Sequence, residues 1–111
     1  MKSAENRDLF PGALEMMILQ ILKRSPMHGY ALAKHIKQSS DCLLQIEEGS
    51  LYPALHRMEE AGWIRAEWIT REAGRRARVY ELTREGTQRL EVEESRWRAV
   101  TAAVNRVLRM A

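Results

Sequence analysis

The sequence predicts a mainly α fold with one small β-hairpin, and three observations carry that expectation. Apolar residues recur at helical spacing between residues 12 and 61, interrupted by Ser25-Pro26 and stopped at Gly62. Two runs rich in strand formers, Trp63 to Thr70 (WIRAEWIT) and Ala77 to Leu82 (ARVYEL), flank a polar turn through Gly74. After Thr83 a long segment carries apolar residues at near-heptad spacing. At 111 residues the chain suits one domain with a single modest core.

Taken in order, residues 1–8 are polar and read as a flexible tail. Leu9 and Phe10 lead into Pro11-Gly12, a suitable helix start with proline near the first turn. Leu14, Met17, Ile18, Ile21 and Leu22 form one stripe of a helix over about 12–24. The second helix runs from His28-Gly29 to about Ser39. Tyr30, Ala33 and Ile36, flanked by Leu32, face inward, and Lys34 and Lys37 face solvent. Cys42, Leu43, Leu44 and Ile46 make a short apolar connector, a candidate edge strand beside the hairpin.

The third helix spans Gly49 to Ala61 with Leu51, Leu55 and Met58 inward. Ser50 is its candidate N-cap, and Pro53 is placed where a first turn lacks intrahelical N–H bonds. Tyr52, His56 and Glu59 form one exposed stripe; Pro53, Arg57 and Glu60 form its neighbour. In the hairpin, Ile64, Ala66 and Trp68 alternate with Arg65, Glu67 and Ile69. Thr83 can cap a final helix of about 84–109. There Leu90, Trp97 and Val104 are seven apart, Val100 and Val107 fall between, and Glu93 spoils the earliest intervening position. A small core cannot cover both ends of such a helix, so its far half is expected to pack on a second copy.

Composition narrows the function classes. A net charge of +3 is only mildly basic. Its distribution says more: Arg71, Arg75, Arg76 and Arg78 stand against one acid, Glu72, between residues 71 and 80. A single cysteine, Cys42, excludes an internal disulfide, and His28, His35 and Cys42 match no compact metal-ligand spacing, so neither metal nor cofactor is expected. The adjacent pairs Glu47-Glu48 and Glu59-Glu60 diverge on a regular element and do not suit acid–base catalysis. No glycine-rich phosphate loop or nucleophile motif occurs, so an enzyme is not expected. No apolar run is long enough for a bilayer and the N-terminus lacks a signal-peptide core, which makes a cytoplasmic protein the expectation.

Three helices followed by a hairpin make a winged helix-turn-helix. Met27 to Leu32 (MHGYAL), Gly49 to Leu55 (GSLYPAL), His56 to Ile64 (HRMEEAGWI) and Gly74 to Gly86 (GRRARVYELTREG) appear in the order found in PadR-type transcriptional regulators, which the chain resembles over roughly residues 9–90. The resemblance implies a homodimeric repressor of double-stranded DNA, reading an inverted-repeat operator and answering to a small-molecule effector. It divides the chain into a tail at 1–8, a DNA-binding domain at 9–83 and a C-terminal dimerisation helix at 84–111. Ser50, Tyr52, Pro53, His56 and Arg57 fall on its recognition helix, and Gly74, Arg75, Arg76 and Arg78 on its wing. Two departures stand out: Glu47 and Glu48 precede the recognition helix, and the tail follows the family pattern only weakly.

The chemistry of those residues fits that expectation. Arg57 can donate twice to a guanine edge beside His56, whereas Tyr52 suits a phosphate or sugar. The wing arginines suit phosphates or a narrow minor groove, with Lys34 and Lys37 adding backbone contacts. The plainer alternatives are a solvated hairpin tip, an Arg57–Glu60 pair at i, i+3, and Tyr52 as a half-buried packing residue. Trp97, with Val100 and Val104, is read as a packing anchor of the dimer seam, or as one wall of a cavity for an apolar ligand. The rival to DNA binding is a winged helix that docks a protein.

Overall fold

The computed structural model describes residues 12–110. Among the described residues, four α-helices and a three-stranded antiparallel sheet follow in the order α1 (Ala13–Arg24), β1 (Met27–His28), α2 (Gly29–Ser39), α3 (Glu48–Glu60), β2 (Ile64–Thr70), β3 (Arg76–Leu82) and α4 (Arg84–Arg109). This is a winged helix with a long C-terminal helix. The expected tail and the Leu9–Pro11 helix entry lie outside the described residues; α1 begins after Gly12, whose φ of 86° suits glycine.

Helix α1 is the centre of the core. The expected stripe is buried at Ile18, Ile21 and Leu22, but Leu19, off that stripe, is also fully buried. The reason is position: α1 touches α2, α3, α4 and β3, so more than one of its faces is covered. Leu32 and Ile36 from α2, Leu51, Leu55 and Met58 from α3, Ile64 and Tyr80 from the sheet, and Leu90 from α4 complete the cluster. Each such aliphatic side chain contributes about 1.5–3 kcal/mol on burial.

Two expectations about α2 and its surroundings are corrected. Tyr30 does not face inward; it is 66% exposed and stacks on His28, while Gly29, Leu32 and Ile36 take the inner face. The third strand is not the Cys42–Ile46 connector. Asp41 and Cys42 have φ of 54° and 66°, a left-handed turn that ends α2 and keeps the chain away from extended pairing. Met27 and His28 pair instead with Tyr80 and Val79. His28 then turns directly into α2 as its N-cap, its Nδ1 accepting from the Ala31 N–H at 3.3 Å.

Helix α3 begins one residue before the expected Gly49, and Ser50 is not its N-cap. Glu47 is its N-cap without a side-chain capping bond, and Glu48 lies in the first turn, where the helix dipole favours an acid. Pro53 therefore sits in the second turn and has no N–H to give the Gly49 carbonyl. The buried set Leu51, Ala54, Leu55 and Met58 fixes the register despite that loss.

Strands β2 and β3 pair from Ile64↔Leu82 to Thr70↔Arg76, joined by a tight turn in which Ala73 and Gly74 both take positive φ. Directly opposed residues share a face, so Ile64, Ala66 and Tyr80 lead from the core outward to Trp68, Arg78 and Arg76. Behind the hairpin, one junction holds three elements together. The Thr83 N–H donates to the Trp63 carbonyl at 3.1 Å, the Thr83 hydroxyl donates to the Gly62 carbonyl at 2.6 Å, and its Oγ1 accepts from the Gly86 N–H at 3.0 Å. Thr83 thus caps α4 as the sequence indicates.

The molecule measures 60 × 31 × 21 Å, because the far half of α4 runs past the body. Near the body, Leu90 is buried and Glu93, the interruption in the heptad, is turned inward and paired with Arg89. Further on, Val100, Val104, Val107 and Leu108 are exposed.

Gly86 generates a prediction. A Cβ there would overlap the Trp63 carbonyl and crowd Leu82, and backbone cannot move aside cheaply. Gly86→Ala should cost about 2–3 kcal/mol in urea unfolding of the full chain. Wild-type stability in that variant would contradict the close approach.

Candidate nucleic-acid interface

Because α3 buries Leu51, Ala54, Leu55 and Met58, its outer surface is set. Tyr52, Pro53, His56, Arg57 and Glu60 are exposed, with Ser50 and Glu59 half-buried at the margins. The two adjacent polar stripes read from the sequence are both present. Their charges, however, are engaged within the protein.

Arg57 does not pair with Glu60. Its Nη2 donates to Glu15 Oε2 on α1 at 2.9 Å, and Glu60 lies instead 3.3 Å from His56 Nε2. The His56–Glu60 pair is open to water, both side chains being about 70% exposed, whereas the Arg57 side chain is 61% exposed and that of Glu15 only 21%. An exposed pair such as His56–Glu60 is worth about 0–1 kcal/mol and exchanges readily for another acceptor.

Tyr52 is a packing residue that also reaches solvent. It is 42% exposed, yet its ring lies on Gly29 at the start of α2, so closely that a Cβ there would fall 2.8 Å from Cε1. The glycine is a seat for the ring, and the contact ties the start of α2 to α3.

The wing carries its cations in two arrangements. At the tip, Arg71 and Arg75 are exposed and outside any ion pair among the described residues, while the Arg76 guanidinium stacks over Trp68 at 4.8 Å. Nearer the body, Arg78 Nη2 donates to Glu59 Oε2 of α3 at 2.7 Å and lies over Trp68 and Tyr80, 5.8 and 5.9 Å from their ring centres. Burial pushes the Tyr80 phenol above its ordinary pKa, and Arg78 pulls it partly back. The Arg78–Glu59 bond is what joins the two parts of the surface. Lys34 and Lys37 are exposed on α2 with no ion pair among the described residues.

Helices α1, α2 and α4 border an open groove of about 520 Å³, lined mainly by apolar groups of Met16, Met17, Ile21, Ile36, Leu44 and Trp97. Trp97 is 37% exposed at its edge, and Val100 and Val104 continue the apolar strip along α4. Cys42 is exposed, and no group of three or more metal-ligating side chains occurs among the described residues. No described helix is long and apolar enough to cross a membrane.

Glu15, Gly29, Glu59 and Trp68 were not singled out from the sequence. Glu15 and Arg57 are 42 residues apart, and nothing local couples them. For Glu59 and Trp68 a signal was available: hairpin register sets Trp68 opposite Arg78, and helical spacing puts Glu59 on the Tyr52–His56 stripe.

Comparison with known proteins bears on the family and the fold. A model of the transcriptional regulator PadR-like family matches residues 18–92. A transcriptional regulator from Clostridium thermocellum is 28% identical, with a TM-score of 0.83 over 89% of this chain and 96% of its own. A PadR family transcriptional regulator from Eggerthella lenta is 31% identical, with a TM-score of 0.80 over 96% of this chain and 91% of its own. An uncharacterized protein of Lysinibacillus sphaericus is 24% identical over 98 residues, 88% of this chain and 90% of that one.

The seat of Tyr52 can be tested by a double-mutant cycle on stability. Gly29→Ala and Tyr52→Ala should be coupled by about 1 kcal/mol or more, the alanine at 29 costing least once the ring is gone. Additive effects would mean that the ring does not rest on the glycine.

Proposed function

The chain belongs to the PadR-like family of transcriptional regulators, and on that premise we propose that it is a homodimeric repressor that binds an inverted-repeat operator. One observation supports this above others: the exposed face of α3 and the arginine-rich hairpin tip are joined into one surface by Arg78 and Glu59. In the proposed complex α3 enters the major groove with Ser50, Tyr52, Pro53, His56 and Arg57 towards the duplex. The wing, Arg75 and Arg76 foremost, lies along the flanking backbone, with Lys34 and Lys37 on the other side. Residues 9–83 then act as the reading domain and 84–111 as the dimerisation helix, in the cytoplasm with the DNA they regulate.

Dimerisation is supported by the exposed apolar strip of α4. Two such strips packed together would bury Val100 and Val104 and set the half-sites one helical turn or a multiple apart. A small apolar effector would sit against Trp97, at a groove within the ordinary size range of ligand pockets, and act by changing the angle between the two reading helices. Glu47, Glu48 and Glu60 near α3 favour a second reading, a winged helix that docks a basic protein surface. Retention on heparin, followed by selection from random duplexes, separates the two: an enriched symmetric site supports the repressor, and no enrichment removes it.

Two further outcomes follow. Arg57→Ala should cost about 1–3 kcal/mol on the selected site and relax its base preference, whereas Arg75→Ala with Arg76→Ala should weaken all duplexes and flatten the salt dependence by about 0.9 per lost phosphate contact. Val104→Glu should convert the dimer to a monomer in analytical ultracentrifugation; an unchanged dimer would place the seam elsewhere.

A further inference from the structure

The cations of the reading surface are not equivalent. Arg57 and His56 are each held by a single carboxylate, and their own side chains are 61% and 72% exposed, within reach of a phosphate or base. Arg78 is held on three sides, by Glu59 at 2.7 Å and by the faces of Trp68 and Tyr80. Its side chain is 42% exposed and that of Glu59 only 28%. Moving Arg78 onto a phosphate would break these contacts and leave a half-buried carboxylate unpaired beside a polyanion. The position of the bond also matters: it runs from the last full turn of α3 to the middle of β3, so it braces the base-reading helix against the hairpin.

Resting on the DNA-binding reading above, we propose that Glu59 is a specificity-determining positioning residue, which withdraws Arg78 from phosphate binding and holds it as a strut between α3 and the wing. Binding to arbitrary sequence depends almost wholly on phosphate neutralisation. Cancelling one cation per subunit lowers that background. Selective binding depends on base-edge contacts in fixed register, which the strut preserves. Glu59 therefore raises the ratio of specific to non-specific affinity although it need not touch DNA.

The test uses the full chain, titrated against its selected operator and a scrambled duplex over a range of potassium chloride concentrations. Glu59→Gln frees Arg78, so the salt dependence should steepen by about 0.9 per subunit. Scrambled DNA should then bind severalfold tighter and the specificity ratio should fall. Arg78→Met removes the strut without releasing a cation, so it should lower the ratio and leave the salt dependence at its wild-type value. Thermal unfolding of both variants checks that they are folded. A salt dependence flattened by about 0.9 per subunit in Arg78→Met would make Arg78 a phosphate contact and overturn the inference. An unchanged salt dependence and ratio in Glu59→Gln would overturn it as well. In both cases the wild type still binds its operator; a wild type with no affinity for any duplex overturns the DNA reading itself.

Discussion

The fold depends on a close approach at one point: the first turn of α4 lies against the Trp63 carbonyl, with Gly86 supplying the space. Here the chain leaves α3, begins the wing, ends the wing and enters α4. Thr83 binds both strands' ends together through the Gly62 and Trp63 carbonyls while capping the helix that follows. A residue with any side chain at 86 would push α4 off the sheet. The angle between the reading helix and the helix proposed to dimerise is therefore fixed by backbone contact, which deforms far less than packed side chains. In the proposed regulator, a change in α4 beside Trp97 would reach α3 and the wing through this junction.

A second constraint acts on charge. The surface proposed to meet DNA pairs its inner cations with carboxylates: Glu15 for Arg57, Glu60 for His56 and Glu59 for Arg78. The tip keeps Arg71 and Arg75 outside such pairs among the described residues. In the proposed complex the periphery attracts the polyanion, His56 and Arg57 each exchange a single partner, and Arg78 stays with Glu59. An exposed pair such as His56–Glu60 costs little to open. Arg76, stacked over Trp68, is intermediate: the ring fixes the guanidinium's position but leaves its N–H groups to other acceptors.

The parts of this architecture with a periodic signature were legible in the sequence. The buried faces of α1 and α3, the two hairpin strands and the Thr83 start of α4 all follow from spacing and capping chemistry. Tyr30 misled because an aromatic at helical spacing looks like core, whereas the neighbouring Gly29 and Leu32 are what pack inward. The third strand was sought in the apolar connector because a two-residue strand has no period of its own. Ser50 is attractive as the N-cap of α3 on a preference worth only about 1 kcal/mol, yet the helix begins at Glu48, an acid that the helix dipole favours in the first turn. For the reading surface, sequence located the residue types on their elements but not the partners. The Arg57–Glu15 and Arg78–Glu59 bonds exist only because the fold brings distant segments together.

Helix α4 follows a single heptad pattern in two environments. In its first half the inward positions are spent within the chain: Leu90 enters the core, and Glu93 is buried only because Arg89 neutralises it and lies over Trp63. In its second half the same stripe continues through Trp97, Val100, Val104 and Val107 with progressively greater exposure. A buried ion pair gains little net stability compared with an apolar pair, so Glu93 is a poor choice for a continuous hydrophobic seam. It is a suitable one for ending such a seam. An intersubunit packing that slid one heptad towards the body would have to accommodate Glu93, with its partner Arg89, in place of Val100, at the cost of desolvating charges against an apolar partner. In the proposed dimer, the interruption in the heptad therefore limits which register two copies can adopt, and with it the spacing of the two α3 helices.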